Sequence, residues 1–175
     1  MASPRIRAAR PADAVGGAAR SSTAGAQAEP DDAPALVFVY GTLKQGFPNF
    51  ARNPGRRVGA YRTQQPYPLY VVQLSNEDRA PWLVDQPGTG HQVVGEVFEV
   101  DAASLAAMDA FEEVGLPGGY LRAEIVVETI DAPHSMLRVH AYLKLPAQLA
   151  PGVPREGPFA AYTHALALGY RIDLG

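Results

Sequence analysis

The chain has 175 residues, 47% of them hydrophobic, which suffices for one domain with a core, and its formal net charge of −3 predicts no strong attraction to nucleic acid. It contains no cysteine, which excludes disulfides, thiol nucleophiles and thiolate metal sites. No window reaches the roughly 18 apolar residues that a membrane helix needs, so the expectation is a soluble, cytoplasmic protein with no membrane partner.

Residues 1–34 are rich in Ala, Arg, Ser, Gly and Pro and hold no aromatic residue. Such a segment cannot bury enough apolar surface to offset the entropy of ordering, so it reads as a disordered tail ahead of a folded domain at 35–175. An Arg-rich, acid-poor start also resembles an organelle-targeting peptide, but Pro4 and Pro11 interrupt every candidate amphipathic stripe. Arg5, Arg7, Arg10 and Arg20 offer only a weak case for nucleic acid.

Leu36–Tyr40 is short, apolar and closed by Gly41, the pattern of a buried strand. Residues 44–57 carry Gly, Pro and Asn and read as loop, with at most a short helix. Val58–Thr63 and Leu69–Leu74 are the next strands. Residues 75–91, with Asn76, Pro81, Pro87, Gly88 and Gly90, predict a long irregular connection. The stretch HQVVGEVFEV predicts a strand in which Gly95 marks a bulge or a close backbone approach. Asp101 is a good N-cap for a helix from Ala102 to about Glu113, which GLPGG then breaks. Arg122–Glu128 and Arg138–Leu145 read as strands, the second alternating Val139, Ala141, Leu143 with Arg138, His140, Tyr142, Lys144. After the proline-rich 146–158, Phe159–Leu168 reads as a short helix ending at Gly169. About six strands with few helices that do not alternate with them disfavour a doubly wound sheet. The pattern favours an α+β fold, a small mixed β-barrel with flanking helices, since closure removes edge strands.

Several chemistries fail on spacing. GTLKQGFP separates its glycines like a phosphate loop, but Phe47-Pro48 stands where Lys and Ser/Thr are needed. The glycines also miss the dinucleotide fingerprint, and there is no Gly-x-Ser-x-Gly elbow. His91, His134, His140 and His164 show no paired metal spacing.

Carboxylates remain. In DAASLAAMDAFEEV, Leu105, Met108 and Glu112 fall on one helix face, whereas Glu113 follows Asp109 on the polar side. A carboxylate in an apolar setting has a raised pKa and can exchange protons near neutral pH; the plainer alternative is that Glu112 frays outward at the helix end. Glu96, on the strand face of Val94, Phe98 and Val100, is a second inward candidate, or else the holder of a structural hydrogen bond. The turn VYGTLKQG is either an ordinary strand end or a nest of N–H groups around Gly41, Thr42 and Leu43 that converges on negative charge.

With these two motifs in view, the chain resembles the γ-glutamylcyclotransferase superfamily (AIG2-like), whose signature is a Tyr-Gly-(Thr/Ser)-(Leu/Asn) loop after the first strand and one Glu late in a central helix. VFVYGTLKQGFPN matches the loop and MDAFEEV the helix end. PYPL at 66–69, PGTGHQVVGEVFEVD at 87–101 and YLR at 120–122 look like the γ-glutamylamine cyclotransferase branch. The resemblance implies a small mixed barrel and an intramolecular reaction, in which a free α-amine attacks its own γ-carbonyl to form 5-oxoproline and release an amine. It implies that Glu112 is the general base and then the general acid, that Gly41, Thr42 and Leu43 donate N–H groups to the substrate, and that Tyr40, Tyr120 and Tyr142 line the pocket. It implies no metal and no cofactor, and a small-molecule γ-glutamyl substrate as the partner. Many members have Gly after the catalytic Glu; Glu113 here looks closer to the γ-glutamylamine branch. The alternation of the last long strand leaves Tyr142 either on a polar pocket wall or on the surface. The alternatives are a γ-glutamyl amino acid or a γ-glutamyl-protected biosynthetic intermediate as substrate and, from another class, a non-catalytic module that binds γ-glutamyl groups or carboxylates. The oligomeric state is not legible.

Overall fold

The computed structural model describes residues 33–131 and 133–172, so residues 1–32 of the expected tail lie outside the described part. Strand β1 (Ala35–Val39) leads through a loop and one turn of 3-10 helix into β2 (Arg56–Thr63). Next come β3 (Leu69–Val72), β4 (Glu77–Asp78), β5 (Ala80–Leu83) and β6 (Val94–Val100). Helix α1 (Ala102–Phe111) is followed by β7 (Leu121–Thr129), β8 (Met136–Leu143), β9 (Arg155–Phe159), α2 (His164–Ala167) and β10 (Arg171–Ile172).

Five strands close a barrel in the order β1-β6-β2-β7-β8. β1 runs antiparallel to β6, with Val37 opposite Phe98, and parallel to β8, with Phe38 opposite Ala141. β7 and β8 form a hairpin from Leu121 opposite Leu143 to Glu128 opposite Met136. Phe38, Val97, Ile125, Val127, Val139 and Ala141 belong to one core cluster, whereas Val37, Val39, Phe98 and Val100 pack in a second with Met108 of α1. β1 therefore buries both faces, which is why its sequence is an unbroken apolar run rather than an alternation. Gly95 marks a close approach: a Cβ there would stand 2.5 Å from the Val39 carbonyl oxygen and 2.6 Å from the Phe38 ring.

Asp101 caps α1 as expected, its Oδ1 accepting from Ser104 N–H at 2.7 Å. The helix stops at Phe111, with Glu112 as its C-cap, slightly short of the expected end. Three expectations need correction. Residues 75–91 are not simply irregular, because β5 pairs with β3 and β4 pairs with β10. β5 is an edge strand of the order β5-β3-β9, where Pro81, which lacks an N–H, is tolerated. The proline-rich 146–158 contributes β9, which pairs with β3, so the expected helix from Phe159 shrinks to His164–Ala167 under the Thr163 cap. No helix among the described residues is long and apolar enough to cross a membrane.

Candidate active site

Where β1 ends, the chain turns instead of continuing the barrel. Lys44 N–H closes the turn onto the Gly41 carbonyl at 3.3 Å, and Asn49 N–H donates to the Thr42 carbonyl at 3.0 Å. Asn49 Nδ2 also donates to Thr42 Oγ1 at 3.0 Å, and Asn53 Nδ2 to the Leu43 carbonyl at 3.1 Å. The carbonyls of Gly41, Thr42 and Leu43 are thus all tied, whereas the N–H groups of Thr42 and Leu43 meet no acceptor among the described residues. Gly41 is required by proximity, not by its backbone angle: a Cβ there would lie 2.6 Å from Cγ of Pro81 on β5. Buried Tyr40 braces the turn, donating to the Tyr142 carbonyl at 2.7 Å and accepting from Leu83 N–H at 3.3 Å.

This turn forms one side of a cavity of about 480 Å³ that is also lined by Glu112, Glu77, Glu113, Trp82, Tyr120, Tyr142, Lys144 and Tyr170. The expected helix face is realised up to its last member. Met108 is fully buried against the barrel, and Glu112 follows at the helix end with its carboxyl in the cavity. Glu113 steps off the helix in the left-handed region, at φ 55°, exposed but still on the cavity wall.

The Glu112 carboxyl makes no hydrogen bond or ion pair within 4.0 Å among the described residues. Burial raises its pKa from the usual 4.5 to about 8; the neighbouring Glu77 charge adds to the shift and the Lys144 ammonium opposes it. Burial also raises Glu77, against the hydrogen bond from Tyr170 and the Lys144 charge. Lys144 is lowered by its own burial, with Glu77, Glu112 and Glu113 pulling the other way. Its Nζ donates to the Gly118 carbonyl at 2.6 Å and lies 3.8 Å from the Tyr120 ring centroid and 4.8 Å from that of Trp82.

The remaining expected residues divide clearly. Tyr120 lines the cavity and donates to the Pro81 carbonyl at 3.2 Å, its phenol raised by burial. Tyr142 is not a surface residue: it packs beneath α1 and lines the cavity, its hydroxyl donating at 2.8 Å to Asp109, which Arg122 holds at 2.7 Å. On that face of β8, α1 covers Tyr142, whereas Arg138 stays exposed to solvent. Glu96 is not part of the cavity; Arg57 pairs with its Oε1 at 3.1 Å and Gln45 N–H donates to its Oε2 at 2.8 Å.

Sequence reasoning missed Glu77, Lys144, Asn49, Trp82 and Tyr170. Lys144 carried a signal, since it stands two residues from Tyr142 on the same strand face. Glu77 and Tyr170 carried none: they meet only because β10 pairs with β4, and the Tyr170 hydroxyl then donates to Glu77 Oε1 at 3.1 Å while accepting from Asn49 Nδ2 at 2.8 Å.

The family described as "Gamma-glutamyl cyclotransferase, AIG2-like" matches residues 37–160. The chain is 32% identical over 149 residues to γ-glutamylaminecyclotransferase B of Danio rerio, a match covering 79% of this chain and 75% of that one. To γ-glutamylaminecyclotransferase of Homo sapiens it is 41% identical over 103 residues, covering 55% of this chain and 64% of the human protein. Its fold is similar to that of the crystal structure of an AIG2-like protein from Mus musculus, with a TM-score of 0.65 and 30% identity, covering 81% of this chain and 96% of that one.

Proposed function

We propose that this chain, which belongs to the AIG2-like γ-glutamyl cyclotransferase family, converts the γ-glutamyl group of a γ-glutamylamine into 5-oxoproline and releases the amine. The observation that carries the reading is Glu112, a carboxyl without a hydrogen-bond partner among the described residues and with its pKa pushed up to about 8, on the wall of the cavity that the turn at Gly41–Leu43 also lines. The branch rests on two relatives named γ-glutamylaminecyclotransferase, of whose lengths the matches cover 75% and 64%.

Each step follows from a group in the cavity. The substrate's α-ammonium enters beside Glu112, and its positive charge favours the carboxylate form. Glu112 takes one proton from the ammonium, and the freed amine attacks the γ-carbonyl carbon of the same molecule, forming the C–N bond of the five-membered ring. N–H groups of Gly41, Thr42 and Leu43 donate to the substrate's negative charge, its α-carboxylate or the γ-oxyanion that forms on attack. Glu112 then returns the proton to the departing nitrogen as the original γ-amide bond breaks, and the second proton of the ring nitrogen passes by the same carboxylate to the freed amine, which leaves as an ammonium. Tyr40, Tyr120 and Tyr142 shape the wall. Because the nucleophile is tethered to its target, holding the chain in a ring-closing conformation supplies much of the acceleration, and the proton shuttle adds about 10²–10⁴-fold.

The test is incubation with γ-glutamyl-ε-lysine, a γ-glutamyl amino acid and glutathione, with 5-oxoproline followed by chromatography. The expected result is release from the first. Release only from the second or third would transfer the assignment to another leaving group, and no release from any would overturn it.

A further inference from the structure

The charges in the cavity do not balance. Its lining holds three acidic side chains, Glu77, Glu113 and Glu112, the last of which keeps its proton near neutral pH until the substrate ammonium enters, against one cationic side chain, Lys144, and that ammonium is already directed to the Gly118 carbonyl and to two aromatic faces. None of the three carboxylates has an ion-pair partner within 4.0 Å among the described residues. Glu77 is anchored through one oxygen only, by the Tyr170 hydroxyl at 3.1 Å; its second oxygen meets no donor among the described residues yet is not sealed from the cavity. It is a positioned acceptor with an open lone-pair face. On the reading above, the glutamyl ammonium is matched to Glu112, which leaves Glu77 and Glu113 on the same cavity wall without a cationic partner.

We propose that the departing amine carries a second positive charge, and that Glu77 binds it, so that the cavity selects γ-glutamyl derivatives of diamines over those of uncharged monoamines. This rests on the cyclotransferase reading. The Tyr170–Asn49 link fixes the acceptor: Asn49 Nδ2 donates to the Tyr170 hydroxyl and to Thr42 Oγ1, so the cation site is tied to the turn that carries the substrate-facing N–H groups. A charge-assisted hydrogen bond in a partly desolvated cavity discriminates by about tenfold or more against a leaving group that lacks the charge.

The test uses two substrates of equal length, γ-glutamylpentylamine and γ-glutamyl-1,4-diaminobutane, and reads the ratio of their kcat/KM values. The ratio cancels any effect on the shared chemistry. The wild-type protein should favour the diamine derivative by about tenfold, and the preference should shrink as salt is raised. Glu77→Gln keeps an acceptor for Tyr170 but removes the charge, and the ratio should fall towards one. A wild-type ratio near one, or a preference that survives Glu77→Gln, would overturn the proposal. Calorimetric binding of the same pair to Glu112→Gln protein reads the preference without turnover. Selective binding there, with no 5-oxoproline formed by the wild type, would support the Glu77 site and overturn the cyclisation reading alone.

Discussion

Two corners of the molecule each hold a carboxylate that the sequence sets within an apolar pattern, and they differ in what the fold brings to meet it. At the β6 corner, both oxygens of Glu96 are engaged, one by Arg57 and one by Gln45 N–H, and nearby Lys44 donates to the Tyr162 carbonyl at 2.5 Å and lies over the Phe47 ring. At the end of α1, Glu112 has no such partner among the described residues; its neighbours are a second carboxylate and a lysine bound elsewhere. The first corner fastens the loop after β1 to the barrel. The second keeps a proton exchangeable near neutral pH. Whether the oxygens of a half-buried acid are satisfied is decided by strands distant in sequence.

The comparison breaks most visibly under paired substitution. Glu112→Gln should lower turnover by about 10²–10⁴-fold while 5-oxoproline still binds, and Glu96→Gln should leave turnover close to wild type, both measured as steady-state 5-oxoproline release. Gly41→Ala comes next. Its added methyl collides with Pro81, so chemical denaturation should show a loss of about 1–3 kcal/mol, with kcat/KM falling as the turn shifts. A third effect lies in the pH profile. Free enzyme must have Glu112 unprotonated, so kcat/KM should rise with pH through about 8. Lys144→Met removes the ammonium that favours the carboxylate and should move that rise to higher pH.

The smallest effect concerns stability. Between the usual 4.5 and about 8, the folded chain holds a proton on Glu112 that the unfolded chain has lost, so this group's contribution falls as pH climbs through that window and levels off above it. Glu112→Gln escapes the loss. Its stability relative to wild type, read from denaturation at pH 5 and pH 8, should grow with pH by a few kcal/mol at most.

Much of this was legible in the sequence because it was local. The apolar run of β1, the Asp101 cap and the helical spacing that aims Glu112 with Met108 all depend on near neighbours. The strand pairings at β4, β5 and β9 were hidden because Pro81, Asn76 and Pro158 read as loop formers, and edge positions are where strands tolerate them. Tyr142 was ambiguous because a helix can cover a strand face that reads as polar. Glu77 and Tyr170 could not be foreseen, since they are 93 residues apart and meet through a two-residue pairing. The groups read from sequence, Glu112 and the turn at Gly41–Leu43, line one cavity; the part missed is the electrostatic surround of that cavity.

The most direct test of the account is a ¹³C NMR titration of the side-chain carboxyls in protein labelled at glutamate, wild type beside Glu112→Gln. The account predicts one carboxyl resonance that titrates near pH 8 and is missing from the variant. If every glutamate carboxyl instead finished titrating by about pH 5, in the range of unperturbed carboxylates, Glu112 would be an ordinary surface acid and the central claim would be wrong.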